Sequence, residues 1–135
     1  MFTVTETLDF CYGHRLLRYK GKCAHLHGHN GKVEVVVATK SLDEQSMVTD
    51  FSEIGRVVRR FVDEHLDHKL LLHKDDPLVE VLRRHDEPIF VMDCDPTAEA
   101  IARLICERAR SGGLDVAEVR LWETPTSVAS YVPGR

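Results

Sequence analysis

The sequence predicts an α+β fold built on an antiparallel sheet, and three observations carry that prediction. Both ends of the chain alternate apolar and polar residues with a period of two. The middle carries two apolar stripes of helical period. The two kinds of segment come in runs, strands then helices then strands, which suits an antiparallel sheet better than repeated strand–helix–strand units. A length of 135 residues fits a single domain, 1–135, whose core needs no disulfide staples.

Residues 2–14 form the first expected strand. Phe2, Val4, Leu8, Phe10, Tyr12 and His14 share one face, interrupted at Glu6, while Thr3, Thr5, Thr7 and Asp9 share the other. Residues 15–26 have no period and read as a loop. The second strand is expected over 31–39, with Val33, Val35 and Val37 on one side. After a polar connection at 40–49, Ile54, Val57, Val58, Phe61, Val62 and Leu66 make a helical stripe over 52–66, with Asp50 or Ser52 as the cap. Residues 67–95 hold a charged loop with a proline, an ambiguous stretch near 78–82 and an extended PIFVM. The second helix is expected to start at Asp95-Pro96, with Asp95 as N-cap and Pro96 in the first helical position, and to stop at Gly112-Gly113. Strands near 116–123 and 127–132 complete the chain.

Composition narrows the function. The net charge is −4, with acidic and basic residues mixed and no basic patch, so nucleic acid is not an expected partner. No apolar stretch approaches the length of a membrane span. MFTVTETLDF lacks a basic segment leading into an apolar run, so a cytoplasmic location is expected, with the four scattered cysteines reduced.

Six of the eight histidines fall in the stretch from His14 to His68. His27 and His29 share the parity of Val33, Val35 and Val37, provided the strand extends back to them. Two imidazoles at the end of an apolar face need something to bind them, because unpaired polar rings are costly to bury. His14 ends the first strand on its apolar parity and supplies a third imidazole. Three neutral imidazoles suit Zn2+ and leave a fourth position open, the pattern of a catalytic site. Cys23 fits two functional roles. It is either a fourth ligand, making a closed structural centre, or a free thiol beside the metal. Asp67-His68, at a helix end, can orient each other as an acid–base pair or simply form a charged terminus. Glu123 ends an apolar strand parity and needs a partner rich in N–H donors. Thr97 can form a hydrogen bond at the start of the second helix.

Taken in order, Phe10-x-x-x-His14-x-Leu16, Cys23-x-x-x-His27-Gly28-His29, Met47-Val-x-Asp50-Phe51, Leu66-Asp67-His68, Pro96-Thr97-x-Glu99 and Glu123-Thr124 resemble the 6-pyruvoyltetrahydropterin synthase / 6-carboxytetrahydropterin synthase family. The resemblance implies the tunnelling fold: a four-stranded antiparallel sheet with two helices on one face, assembled as a homohexamer of two trimers with active sites between subunits. It implies zinc on His14, His27 and His29, Cys23 as the proton-abstracting residue, Asp67 and His68 as relay partners, Glu123 as the pterin anchor and Thr97 as a pterin contact. It further implies a lyase acting on 7,8-dihydroneopterin triphosphate. The expected product is 6-carboxytetrahydropterin, with release of acetaldehyde and triphosphate on the way to queuosine. The alternative product is 6-pyruvoyltetrahydropterin. A different kind of alternative is a non-enzymatic assembly module stabilised by zinc, with Cys23 as fourth ligand. Arg15, Lys22 and His25 are the candidates for holding the triphosphate.

Overall fold

A computed structural model describes residues 1–134. The strands β1 (Phe2–His14) and β2 (His27–Thr39) form a long antiparallel pair that runs from Phe2 opposite Thr39 to His14 opposite His27. β5 (Val116–Thr124) pairs antiparallel with β2, and β6 (Ser127–Tyr131) with β5. These four strands are the expected antiparallel sheet. β2 extends back through both histidines, as the metal reading requires.

The sheet is larger than expected. β3 (Lys69–His73) and β4 (Ile89–Met92) add to the free side of β1, giving six strands in the order β4-β3-β1-β2-β5-β6. Both additions are parallel, β3 to β1 and β4 to β3. The four-stranded, wholly antiparallel expectation is corrected here, and the reason is visible in the residues. KLLLH and IFVM are short apolar runs without alternation, the look of parallel strands covered on both faces. Such runs carry no period by which to separate strand from helix. The connection between them holds α3 (Leu78–Arg84).

The first helical stripe folds as α1 (Phe51–Ile54), a π-helical stretch (Gly55–Arg59) and α2 (Arg60–His65). Asp50 caps it by accepting the Ser52 amide. The second stripe is α4 (Ala98–Ser111), which starts later than expected. Thr97 is the N-cap, its hydroxyl accepting the Ala100 amide at 3.1 Å. Asp95 and Pro96 lie outside the helix and serve the site instead. Leu8, Phe10, Tyr12, Val33, Val35, Val37, Val119 and Leu121 meet Ile54, Val58, Val62, Ile101, Ala102 and Ile105 in one buried cluster. The helices therefore cover the sheet face that ends in His14. Among the described residues, no helix is long and apolar enough to cross a membrane.

Candidate metal centre and active-site cavity

The β1–β2 register builds the centre. His14 sits directly across from His27, and Tyr12 from His29. With a side-chain period of two, all four rings project to the core face. The His14 ring centroid lies 4.5 Å from that of His27 and 5.1 Å from that of His29. Each ring offers one nitrogen, and these atoms lie within 4.8 Å of one another.

Two of the rings are held by main-chain carbonyls. His14 Nδ1 donates to Pro96 O at 2.7 Å, and His27 Nδ1 donates to His25 O at 2.7 Å. A carbonyl can only accept, so Nδ1 carries the proton and the Nε2 lone pair is free. His14 Nε2 and His29 Nε2 are buried with no hydrogen-bond partner among the described residues. Burial lowers the His14 pKa, against smaller opposing effects of the Pro96 carbonyl and the Glu123 charge, so the ring stays neutral, the form that ligates. Orphaned buried nitrogens with fixed tautomers are what a three-histidine metal site needs, and these residues fit one.

The centre opens into a cavity of about 400 Å³ whose wall includes His14, Tyr19, Cys23, Thr97, Glu99 and Glu123. Cys23 is half-buried in a short 3-10 turn, Lys22–Ala24, inside the segment expected to be irregular. Its carbonyl accepts the Leu16 amide at 2.9 Å. Asp95 accepts the Leu17 amide at 2.9 Å and the Arg18 amide at 3.4 Å. Asp95 thus fastens the Cys23 loop, while the next carbonyl, Pro96, fastens His14. Cys23 is not part of the metal-ligand cluster, which among the described residues comprises the three histidines.

Glu123 stands close to that cluster. Its Oε1 is 3.9 Å from His14 Nε2, and its Oε2 is 3.8 Å from His29 Nε2. The Tyr12 hydroxyl donates to Oε1 at 3.5 Å. Burial, then the Glu123 charge, raise the Tyr12 pKa well above its usual value, so the phenol remains a donor. Neither Tyr12 nor Glu99 has a role legible in the sequence: alternation flags Tyr12 only as core, and Glu99 enters only as the last residue of the Pro96-Thr97-x-Glu99 motif.

Asp67 and His68 do not reach this cavity within one chain. Asp67 Oδ1 accepts the Cys11 amide at 2.9 Å, and the His68 amide donates to Cys11 O at 2.7 Å. Asp67 Oδ2 lies 2.9 Å from His68 Nδ1. The Cys11 amide and, less strongly, His68 lower the Asp67 pKa, against burial. His68 adopts a left-handed φ of 58°, a costly conformation for a side-chain-bearing residue, and its side chain is 79% exposed. The expected pair is therefore built, but it faces outward. Of the triphosphate candidates, Lys22 and His25 are exposed. Arg15 is engaged elsewhere, its Nε and Nη2 reaching buried Asp76 at 2.7 and 2.5 Å.

Comparison with known proteins identifies the family of the chain. The family model described as 6-pyruvoyl tetrahydropterin synthase matches residues 3–133. A 6-carboxy-5,6,7,8-tetrahydropterin synthase of Rickettsia bellii is 33% identical, covering 93% of this chain and 96% of the relative. The Haemophilus influenzae protein of the same name is 32% identical, covering 97% and 99%. An uncharacterised Wolinella succinogenes protein superimposes with a TM-score of 0.81 at 28% identity, covering 98% of each chain. A Caenorhabditis elegans 6-pyruvoyl tetrahydropterin synthase shares the fold, with a TM-score of 0.74 at 21% identity over 98% of this chain and 96% of its own. The chain belongs to the 6-pyruvoyl tetrahydropterin synthase family.

Proposed function

We propose that the protein is a zinc-dependent 6-carboxytetrahydropterin synthase, a lyase that converts 7,8-dihydroneopterin triphosphate with release of acetaldehyde and triphosphate. The observation that carries this reading is the convergence of three imidazole nitrogens at the edge of a cavity whose wall holds one of them, His14, together with Cys23. The names of the curated relatives support the carboxy branch.

His14, His27 and His29 would hold the zinc. Bound there, the metal supplies Lewis-acid polarisation of the substrate's side-chain oxygens and acidifies the neighbouring C–H. Cys23 would take the proton, a role supported over fourth ligand by its position on the cavity wall outside the ligand cluster. Two carboxylates line the cavity, and their places divide the work. Glu123 stands within 4 Å of two histidine nitrogens, where the reacting end of the substrate would lie. The N–H donors of a pterin lie on the ring edge remote from its side chain. Glu99, on the same wall in the first turn of α4, would meet that edge. The pterin-anchoring role expected of Glu123 passes to Glu99 in this reading. Thr97 serves by capping α4 and thereby setting Glu99. Asp67 and His68, facing outward, act as a relay for the Cys23 of a neighbouring copy, which accords with the expected homohexamer.

The deciding experiment is mass spectrometry of the products formed by zinc-loaded protein from 7,8-dihydroneopterin triphosphate. Carboxytetrahydropterin together with acetaldehyde is the expected result. Pyruvoyltetrahydropterin without acetaldehyde would transfer the protein to the other branch and leave the site intact. No turnover at full zinc occupancy would favour the assembly module.

A further inference from the structure

We propose that Tyr12 is a positioning residue of the active site. Its hydroxyl holds the Glu123 carboxylate at the mouth of the three-histidine centre, and its ring forms the floor on which two of the histidines rest. The inference rests on the reading of Glu123 as working beside the metal.

Four observations combine. The Tyr12 side chain is among the largest that are fully buried, at 1% exposure, yet it ends in a polar group. That hydroxyl donates to Glu123 Oε1, the oxygen 3.9 Å from His14 Nε2. A buried hydroxyl needs a partner, and a carboxylate is a strong one. The ring touches the centre itself: its centroid is 5.2 Å from that of His14, edge-on, and 5.6 Å from that of His29. Finally, the strand opposite makes room for it. A Cβ on Gly31 would stand 3.0 Å from Tyr12 Cε1, 3.3 Å from Leu121 Cδ1 and 3.3 Å from Phe10 Cε1. A Cβ at 31 would press on the ring by a few tenths of an ångström, so the absence of a side chain there gives the ring its room.

The physical need is clear. A carboxylate this near a dication would be drawn onto it and occupy the position substrate must take. A hydrogen bond to one oxygen fixes the plane and rotamer of Glu123 and holds it for the substrate. The acceptor is charged but the bond is long, at 3.5 Å, so its loss is worth roughly three- to tenfold where the carboxylate matters.

Tyr12→Phe tests this, because it removes one oxygen and keeps the ring. The expected result is a kcat reduced about three- to tenfold with KM within about twofold, full zinc stoichiometry and a melting temperature within a few degrees of the parent. In a double-mutant cycle with Glu123→Gln, the second substitution should add little to the first. With cobalt in place of zinc, the visible spectrum of Tyr12→Phe should shift toward that of a carboxylate-bound ion, a readout independent of turnover. Unchanged kcat in Tyr12→Phe alongside a strongly impaired Glu123→Gln overturns the proposal while sparing the role of Glu123. Unchanged kcat in Glu123→Gln itself overturns the underlying reading. Additive losses, or loss of zinc or fold in Tyr12→Phe, overturn the positioning role, since the hydroxyl would then be acting on structure alone.

Discussion

At the scale of single residues, the site separates holding a metal from doing chemistry beside it. Cys23→Ala is expected to keep its zinc and fold but to lose activity by about 10²- to 10⁴-fold, the range for removing a positioned base. Metal analysis and turnover on one sample check this, and joint loss of zinc and folding would make Cys23 a structural ligand. His27→Ala is expected to lose the metal while the subunit still folds, because His27 is only partly buried and lies at the end of a strand thirteen residues long. Unchanged zinc stoichiometry in that variant would reject the ligand set. The three histidines were legible in the sequence because strand parity reports direction, whereas Cys23, in a loop without period, was legible as a base only through the family resemblance. Tyr12 was not, since a buried aromatic on an apolar parity looks the same whether or not its hydroxyl has work to do.

At the scale of elements, the segment between the helices explains both what could be read and what could not. The long strands and α4 announced themselves by period. β3 and β4 did not, because three or four consecutive apolar residues have none. The start of α4 was misplaced by two residues because Asp95-Pro96 has the chemistry of a helix start, yet Asp95 spends its carboxylate on the Leu17 and Arg18 amides. Connections between elements can be weighed in the same way. Asp76, buried at the β3–α3 connection, ties Arg15 at the end of β1 and also accepts the Leu78 amide. Burial raises its pKa, but the Arg15 and Leu78 bonds outweigh this and lower it overall. Asp76→Asn is therefore expected to destabilise by about 1–3 kcal/mol at neutral pH. A carboxyl whose folded pKa is lowered contributes fully above its unfolded value of about 3.9 and loses that contribution as pH falls through the folded value. The melting-temperature gap between parent and variant should stay constant above pH ~5 and close below pH ~4. A gap that widens in acid would contradict the pairing. At the other end of α4, a Cβ on Gly112 would collide with Val57 Cγ1 in the π-helical stretch. Gly112→Ala should cost about 1–3 kcal/mol, measured by denaturant unfolding.

At the scale of the whole molecule, the outward-facing Asp67-His68 pair is the feature a lone subunit leaves unexplained. A strained, exposed histidine held rigidly by the β1 backbone suits a site completed by another copy. Mixed assemblies made by co-refolding Cys23→Ala with His68→Ala subunits should recover a fraction of parental activity, because some interfaces pair an intact thiol with an intact relay. No recovery in hybrids whose mixing is verified by mass would place the pair outside the mechanism. No period or spacing in the sequence signals that arrangement. Which residues meet across a subunit boundary depends on the surface of the folded chain, and sequence order bears on it only through the family resemblance.

The carbonyls of Pro96 and His25, which orient two of the imidazoles, belong to the main chain. No change of codon at either position deletes such an acceptor, so the orientation of these rings is shielded from point mutation in a way that a carboxylate support would not be. His25→Ala should accordingly bind zinc as the parent does. The rings are exposed instead to anything that shifts the backbone. Drift in metal affinity among variants should therefore trace to insertions, deletions and proline substitutions in the two loops rather than to side-chain exchange.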